Sequence, residues 1–498
     1  MMTGKHRPVL LALSLIVLGK MTGFGKDLLL SFYHGASRVT DAYFIANSVA
    51  SLSYAAMYMA IPVVVVPYFS RLMNSTEKEN RNVRVLPILQ FFCLISFVLS
   101  IIVFMNAENG VNFLFPDLDA ETDNYAHDFI KIISLTFVFS TVVAVLNAVQ
   151  VLDGKRMASL FVPLVNNCAF IVSILIFPSD EFFKYVIWAG FFSWGALVVV
   201  NLHFTRKIVS FIYVSSSPLF KDKKLMVLFL SALMVFYVEQ LNSYISVLFA
   251  SGLGSSAVSY LSYANKLNLL MVSVFIVFLN VYAFPKLSVK RFERQEEMNG
   301  FLVKIIKLIA ISCFPMVLIL YSSAEPVIAI VFERGSFTQS DVIVVASVFQ
   351  MLILSLPLLL IRDLLNRVIF AYESSSLSLI ALLVSVALHV ILVKYYMIVY
   401  GLPGIAIGVA VSAFINSFIL AAFLKLFFNV SLVVDSLKTI VICLASLIIS
   451  YLLSFVFSSY VGLEWWGESL LMLVGYFYCL YLIREEQSYN IIKWLAFR

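Results

Sequence analysis

Apolar stretches of about 20 residues, each long enough to cross the hydrocarbon core of a bilayer, follow one another almost without pause along this chain. No other feature narrows the fold so far. Only 12% of the residues are charged and 62% are hydrophobic, where a soluble domain carries about 25% charged residues. The runs are continuously apolar and do not alternate at period two, which argues against a β-barrel. The expected fold is therefore an all-α polytopic membrane protein of about 14 transmembrane helices. The spans are read near 8–30, 42–69, 85–105, 129–151, 158–178, 184–203, 226–250, 257–285, 301–321, 341–371, 375–399, 402–427, 436–459 and 465–484. Linkers are short, and no soluble domain is inserted. The opening "MMTGKHRPVLLALSLIVLGK" has the basic start and apolar middle of a signal peptide. No small-residue cleavage pattern follows, so it is read as a retained first span.

Lys and Arg placement orients such a chain. With a cytoplasmic N-terminus, the inside loops include "SRLMNSTEKENRNVR", "DGKRMA", "HFTRKIVSFIYVSSSPLFKDKK" and "PKLSVKRFERQEE". The outside loops, "NAENGVNFLFPDLDAETDNYAHD" and "FPSDEFF", are acidic. Most of the 34 basic residues fall inside, so both termini are expected in the cytoplasm. The net charge of +6 sits in these membrane-flanking loops and does not point to nucleic acid.

A weak internal repeat pairs "SRVTDAYFIAN" (37–47) with "SSAVSYLSYAN" (255–265), six spans apart. An even number of spans gives both copies the same orientation. Two pseudo-symmetric six-helix lobes around a central site are the expected plan. The boundaries are 1–210 for the N-lobe, 220–430 for the C-lobe and 431–498 for two added helices and a cytoplasmic tail.

Charge at mid-bilayer costs about 2.5–3.5 kcal/mol on insertion scales, and usually faces a partner or a wet cavity. The intramembrane candidates are Lys20, Lys26, Asp27, Glu239 and Lys266. Lys20 and Asp27 share a helix face, and Lys26 lies about 9 Å along the axis from Lys20. Gly19, Gly23 and Gly25 would permit a bend that turns both lysines toward one space. Against this, Lys26 could snorkel or pair with Asp27. Lys266, flanked by Asn265 and Asn268, lies in the repeat-related eighth span. Together the three lysines suggest a cationic cavity for an anion, and a compact ammonium suits phosphate.

Asp27, Asp41, Asn47, Tyr54, Gln240, Asn242 and Asn265 are the other residues expected to line that cavity, with Tyr58, Tyr260 and Tyr263 as further aromatic candidates. Glu239 could bind H⁺ or Na⁺, or serve as a counter-charge for a lysine. His389 is a second ion-coupling candidate.

The five cysteines lie singly within apolar spans and are read as small buried hydrophobes. No metal-ligand spacing, P-loop, Gly-x-Ser-x-Gly or His-Glu-x-x-His pattern stands out. No cofactor and no enzymatic chemistry are expected. Uphill work would draw on the membrane potential or an H⁺ or Na⁺ gradient.

Four blocks carry a family resemblance. "GFGKDLLLSFYHGASRVTDAYFIAN" resembles the start of the MurJ/MviN lipid II flippases, and "EQLNSYISVLFASGLGSSAVSYLSYANKL" their seventh-to-eighth span signature, followed by "AFPKLS". "VFERGSFTQSD" is similar to their motif before the tenth span, and "LLNRVIFAYESSS" to the segment that ends it. The likeness covers roughly residues 15–375.

It implies the multidrug/oligosaccharidyl-lipid/polysaccharide exporter superfamily, with a V-shaped cavity between two lobes and alternating access. The implied substrate is an undecaprenyl-diphosphate-linked glycan, such as lipid II or a related surface-polysaccharide unit. It would be carried across the bacterial cytoplasmic (inner) membrane. Lys20, Lys26 and Lys266 fall where the family places arginines that hold the diphosphate. Membrane lipids, and envelope-synthesis proteins as candidates, are the other partners implied.

Two departures stand out. The family's Pro-Asn-Leu-x-Arg-Arg in the second span reads "NSVASLSYAA" here, with Tyr54 near the expected Arg. The acidic residue before the eighth-span cation is Asn265. An ion-coupled drug antiporter of the same superfamily and a non-transporting envelope-synthesis scaffold are the alternative readings. The first would want carboxylates in its cavity. The second would tolerate neutral replacements of the three lysines.

Overall fold

The computed structural model describes residues 7–75, 83–84, 86–152, 157–177, 182–206, 209–210, 223–279, 283, 287, 295–372, 374–430, 433–461 and 464–482. Most of the inside loops and both chain ends, on which the orientation was read, lie outside these residues. Apart from a two-residue parallel bridge between β1 (Val83–Arg84) and β2 (Val209–Ser210), the described chain is helical.

Contacts divide the chain into two compact units. The first, Met1–Ser259 with Arg334–Phe337, contains α1 (Arg7–His34), α2 (Arg38–Ala50), a π-helical turn (Ser51–Ala55), α3 (Ala56–Ser75), α4 (Leu86–Met105), α5 (Ala107–Leu114), α6 (Ala120–Ser134), α7 (Phe137–Leu152), α8 (Met157–Ile176), α9 (Phe182–Thr205) and α10 (Lys223–Ser251). It also takes in the first residues of α11 (Ala257–Phe278). The second unit, Tyr260–Glu333 with Thr338–Arg498, holds the rest of α11. It continues with α12 (Gln295–Ser322), α13 (Ala324–Phe332), α14 (Gln339–Ile353), α15 (Leu356–Ala371), α16 (Ser375–Tyr400), α17 (Leu402–Phe428), α18 (Val433–Val461) and α19 (Trp465–Leu482). Packing groups α10 with the first unit, whereas the chain-order boundary near 210–220 falls in front of it.

Among the described residues, nine helices are long and apolar enough to span a membrane, or eleven if each of two bent pairs counts as one span. The bent pairs are α6 with α7 (43°) and α14 with α15 (41°). α1, α11 and α19, which the expectation of about 14 spans also includes, stand outside that set.

In the first unit, α3 packs on α7 and α10, α2 on α6, and α1 on α8. Ile61, Val64, Val65, Phe69, Phe92, Val145 and Val149 belong to a buried apolar cluster there. In the second unit α16 and α17 form a close hairpin. A Cβ added at Gly408 of α17 would lie 2.8 Å from the Val393 Cα of α16. Small residues at i, i+4 allow this approach where lipid supplies no hydrophobic drive. α18 and α19 pair with each other and against α12, around Ala310, Ile311, Cys443, Tyr476 and Leu480.

The two copies of the sequence repeat both open helices, α2 and α11. Their equivalent positions meet: Asp41 accepts from the Ser256 N–H (2.6 Å), the Ser259 N–H (2.7 Å) and Ser259 Oγ (2.5 Å). Ser259 Oγ also lies 2.7 Å from Thr40 Oγ1. Ser37 and Thr40 close a capping box on α2 itself. Beside them the segment 334–337 docks on the end of α1, the Ser336 N–H donating to the Phe32 carbonyl (2.8 Å) and its Oγ to the Tyr33 carbonyl (2.9 Å). Gly35 and Gly335 both have positive φ, and a side chain on either would strike the opposite backbone.

Candidate functional site

The charge-bearing helix α1 is continuous from Arg7 to His34, with no unwound segment at its glycines. Two of the glycines serve packing. Gly19 faces Pro163 at 3.6 Å and Gly23 faces Asn167 at 3.2 Å, both on α8. Asn167 Nδ2 donates to the Gly19 carbonyl (3.2 Å). Residues four apart share a helix face, so a glycine pair at that spacing makes a flat seat for a neighbouring helix.

That seat sets the lysines. Lys26 Nζ lies 3.2 Å from the Tyr43 hydroxyl of α2 and 3.8 Å from Asp27 Oδ1. It stands 5.1 Å from the Phe170 ring centre of α8 and 5.8 Å from that of Tyr43. Its side chain keeps 16% of its surface exposed, against 6% for Asp27. Two aromatic faces and a carboxylate stabilise the ammonium without enclosing it. Lys20, about 9 Å earlier on the same helix, is exposed. The pairing of Lys26 with Asp27, raised from the sequence as an alternative, is thus present, and Asp27 is a buried partner of the cation. Phe170 and Tyr43 escaped the sequence reading. Tyr43 lies inside the repeat, but nothing distinguishes Phe170 among 45 phenylalanines.

Several residues expected to line a cavity have other roles. Asp41 is 3% exposed and caps the first turn of α11, because three donors there require an acceptor. Tyr54 is 6% exposed. It stacks on Phe137 at 4.7 Å, and its hydroxyl lies 2.6 Å from Thr141 Oγ1, which also meets Ser96. It belongs to the π-helical turn, where the Ser53 carbonyl accepts from the Tyr237 hydroxyl of α10 (3.1 Å). The aromatic thus turns into the helix core of the first unit, where an arginine would carry an unpaired charge.

Asn47 and Glu239 are exposed, and Gln240, Asn242, Asn265 and Lys266 are partly buried. Asn47 Nδ2 donates to the Tyr43 carbonyl (2.8 Å), and the Asn242 carbonyl accepts from Ser246 (3.2 Å). His389 is buried on α16, its Nδ1 3.0 Å from Ser412 Oγ of α17. Tyr58 is partly buried, its ring 6.1 Å from that of Trp194. Tyr260 donates to Asp341 Oδ1 (2.8 Å), and Tyr263 is wholly buried against Phe332. Among the described residues no group of His, Cys, Asp or Glu has metal-binding geometry.

On the acidic side of the first unit, Arg38 Nη1 lies 2.6 Å from Glu121 Oε2 and its Nε 3.5 Å from Asp119 Oδ1. Asp119 caps α6. Partial burial works to raise its pKa, but hydrogen bonds from Thr122 and Glu121, together with Arg38, hold the carboxyl below its ordinary value.

Comparison with known proteins agrees with this architecture. A solved lipid II flippase MurJ in an inward closed conformation superposes with TM-score 0.80 at 20% identity, covering 96% of this chain and 99% of that one. An inward-facing multidrug resistance MATE transporter gives 0.67 at 15% identity, covering 84% and 99%. Probable lipid II flippases of Aquifex aeolicus and Thermotoga maritima are 23% identical over 382 residues and 26% over 406. The alignments span 72% and 78% of this chain, and 71% and 79% of those proteins. The family model for lipid II flippase MurJ matches residues 30–474, so this all-helical, multi-pass chain belongs to the MurJ family.

Proposed function

We propose that this protein is a flippase that carries an undecaprenyl-diphosphate-linked glycan from the cytoplasmic to the outer face of the bacterial inner membrane by alternating access. Lys20 and Lys26 of α1 hold the diphosphate, and Lys266 of α11 is the corresponding candidate cation of the second unit. The observation that carries the reading is Lys26. Its ammonium is steadied by Asp27, Tyr43 and Phe170 yet still partly open, on a helix that also bears the exposed Lys20. Family membership supports it, and neither drug antiport nor a scaffold role gains support from that membership. Lysines give point charges rather than the bidentate fork of arginine, so they attract phosphate without fixing its orientation.

The glycan is the lipid II headgroup or a related surface-polysaccharide unit, and the polyprenyl tail stays in the bilayer. Both termini face the cytoplasm. A potential negative inside favours outward movement of an anionic headgroup by about 2.3 kcal/mol per charge per 100 mV. Glu239 and His389 are the candidates for coupling to an H⁺ or Na⁺ gradient.

The test is depletion followed by complementation, with lipid-linked glycan on the cytoplasmic face as the readout. Lys20→Gln and Lys26→Gln should leave glycan accumulated, and Lys→Arg should clear it. Full rescue by the neutral variants defeats the diphosphate site. Rescue of a strain lacking its essential lipid II flippase identifies lipid II as a substrate.

A further inference from the structure

One span of the second unit carries a charged face of its own. α15 is the later half of the bent pair α14–α15. At 100° per residue, its Arg362, Asp363, Asn366 and Arg367 fall within an arc of about 140°. The opposite side is apolar and sealed. Leu360, Leu364, Leu365, Val368 and Ile369 are 1% exposed or less, and α15 packs on α12, α16 and α17.

The polar face is built from two pairs at i, i+4. Asp363 Oδ2 accepts from Arg367 Nε at 2.9 Å. Asn366, four residues after Arg362, accepts at its Oδ1 from Ser378 Oγ of α16 (2.7 Å). That bond fixes the amide and makes its NH₂ group a neutral donor on the same face. Arg362 is partly buried, and Arg367 and Asp363 keep 20% and 29% of their side-chain surface exposed.

The depth of these groups decides what they can face. Val368, Ile369, Phe370 and Ala371 separate Arg367 from the end of α15, and Arg362 lies about 14 Å from that end. Charge within a span meets protein or water, not hydrocarbon. A face that protein covers only in part therefore opens on water.

Two guanidinium groups and one carboxylate leave one net positive charge. That balance suits a monoanion. A hard cation needs several oxygen ligands, and this face has one carboxylate between two cations. The guanidinium fork matches the two oxygens of a carboxylate or a phosphodiester and fixes their plane, which a lysine does not.

We propose that the α15 face, Arg362 and Arg367 with Asn366 between them, is an oxyanion site of the second unit that takes a monoanionic group of a lipid headgroup. The group is a carboxylate on the carried glycan or the phosphodiester of a bilayer lipid. Asp363 sets the charge balance and holds one edge of Arg367. The glycan source rests on the flippase reading, whereas the anion site does not.

The test uses full-length protein in phosphatidylcholine nanodiscs. Calorimetric titration compares two short-chain prenyl-diphosphate sugars, one ending in N-acetylglucosamine and one in glucuronic acid. Melting in discs with and without phosphatidylglycerol supplies the second arm. A carboxylate of the glycan as ligand predicts about tenfold tighter binding of the acidic sugar, the value of one charge-assisted hydrogen bond, lost in the double variant Arg362→Gln/Arg367→Gln. A bilayer phosphodiester as ligand predicts equal sugar affinities and a rise in melting temperature with phosphatidylglycerol that the double variant reduces. No difference between wild type and double variant in either arm overturns the site.

Asp363→Asn separates binding from mere bracing and serves also where the double variant does not fold. Removing the carboxylate should tighten the anion that the wild type prefers by about two- to fivefold. Unchanged or weaker binding assigns these charges to internal ion pairing and overturns the proposal. A wild type that binds the acidic sugar but moves none across proteoliposomes removes the flippase reading and leaves the anion site standing.

Discussion

Replacing Asp41 by Asn changes one atom of a buried carboxylate and tests what holds the first turn of α11. The carboxylate accepts three hydrogen bonds, from the Ser256 and Ser259 N–H groups and from Ser259 Oγ, at 2.5–2.7 Å. Those amides are among the orphan donors that begin a helix, and the negative charge also complements the positive end of the α11 dipole. An asparagine keeps one acceptor oxygen and puts an NH₂ group where the other accepted. At least one charge-assisted bond is lost, worth about 1.5–3 kcal/mol, and one buried donor is left facing another. Local opening of the 256–259 turn should therefore become easier by about 2–3 kcal/mol. Through the tenfold change per 1.4 kcal/mol, that is about a 30- to 140-fold faster exchange of the Ser256 and Ser259 amides. Hydrogen exchange with mass spectrometry on wild type and Asp41→Asn reads this directly. Peptides covering α4 and α7, which do not touch the residue, serve as the internal reference. Equal exchange in the 256–259 peptide would refute the capping argument. Uniform acceleration everywhere would instead mean that the substitution loosens the whole unit.

Two further predictions come from other parts of the molecule. Gly408→Leu pushes a side chain into Val393, already 2.8 Å from an added Cβ, and should lower the melting temperature or abolish folding, whereas Gly300→Leu, with open space around it, should change it little. Asp119 has a carboxyl held below its ordinary pKa when folded, so its contribution is present above the unfolded value near 3.8 and is lost as pH falls through the folded value. A melting series from pH 6 to pH 3 should lose stability at the acid end, and Asp119→Asn should flatten that part of the curve.

The helical architecture was readable because bilayer thickness and backbone hydrogen bonding leave a continuously apolar chain few options. Each of the eleven spans recovered from the structure, counting bent pairs, overlaps one expected from the sequence. Side-chain direction was much less readable. Gly19, Gly23 and Gly25 looked like a hinge because glycine weakens helices. In the structure the first two form the contact with Pro163 and Asn167, information carried by α8 and not by α1. Asp41 looked like a cavity residue because it is an acid at a span's end. Its true partners are 215 and 218 positions away. Tyr54 was placed by analogy with a cation, and an aromatic at that position follows different forces, stacking on Phe137 and reaching Thr141.

Tyr54 also bears on how the charge of the proposed diphosphate site is distributed. The resemblance puts an arginine near this position in relatives, and here its place is taken by a residue buried in the helix core. In the first unit the proposed diphosphate site then draws its positive charge from α1. Lys26 is partly offset by Asp27 at 3.8 Å, while Lys20 stands exposed. A diphosphate on α1 would thus draw most of its net attraction from Lys20, with Lys26 supplying position through its contacts to Tyr43 and Phe170. The two lysines should therefore fail in different ways. Lys20→Gln should weaken binding most at low ionic strength, where the exposed charge it removes is least screened, and should flatten the salt dependence. Tyr43→Phe, which removes the hydroxyl 3.2 Å from Nζ but keeps the ring, should cost orientation and lower turnover more than affinity. Flipping rates measured against glycan density in proteoliposomes at two salt concentrations distinguish the two effects. Identical salt dependence in both variants would mean that the charge is shared evenly and that this division of labour is wrong.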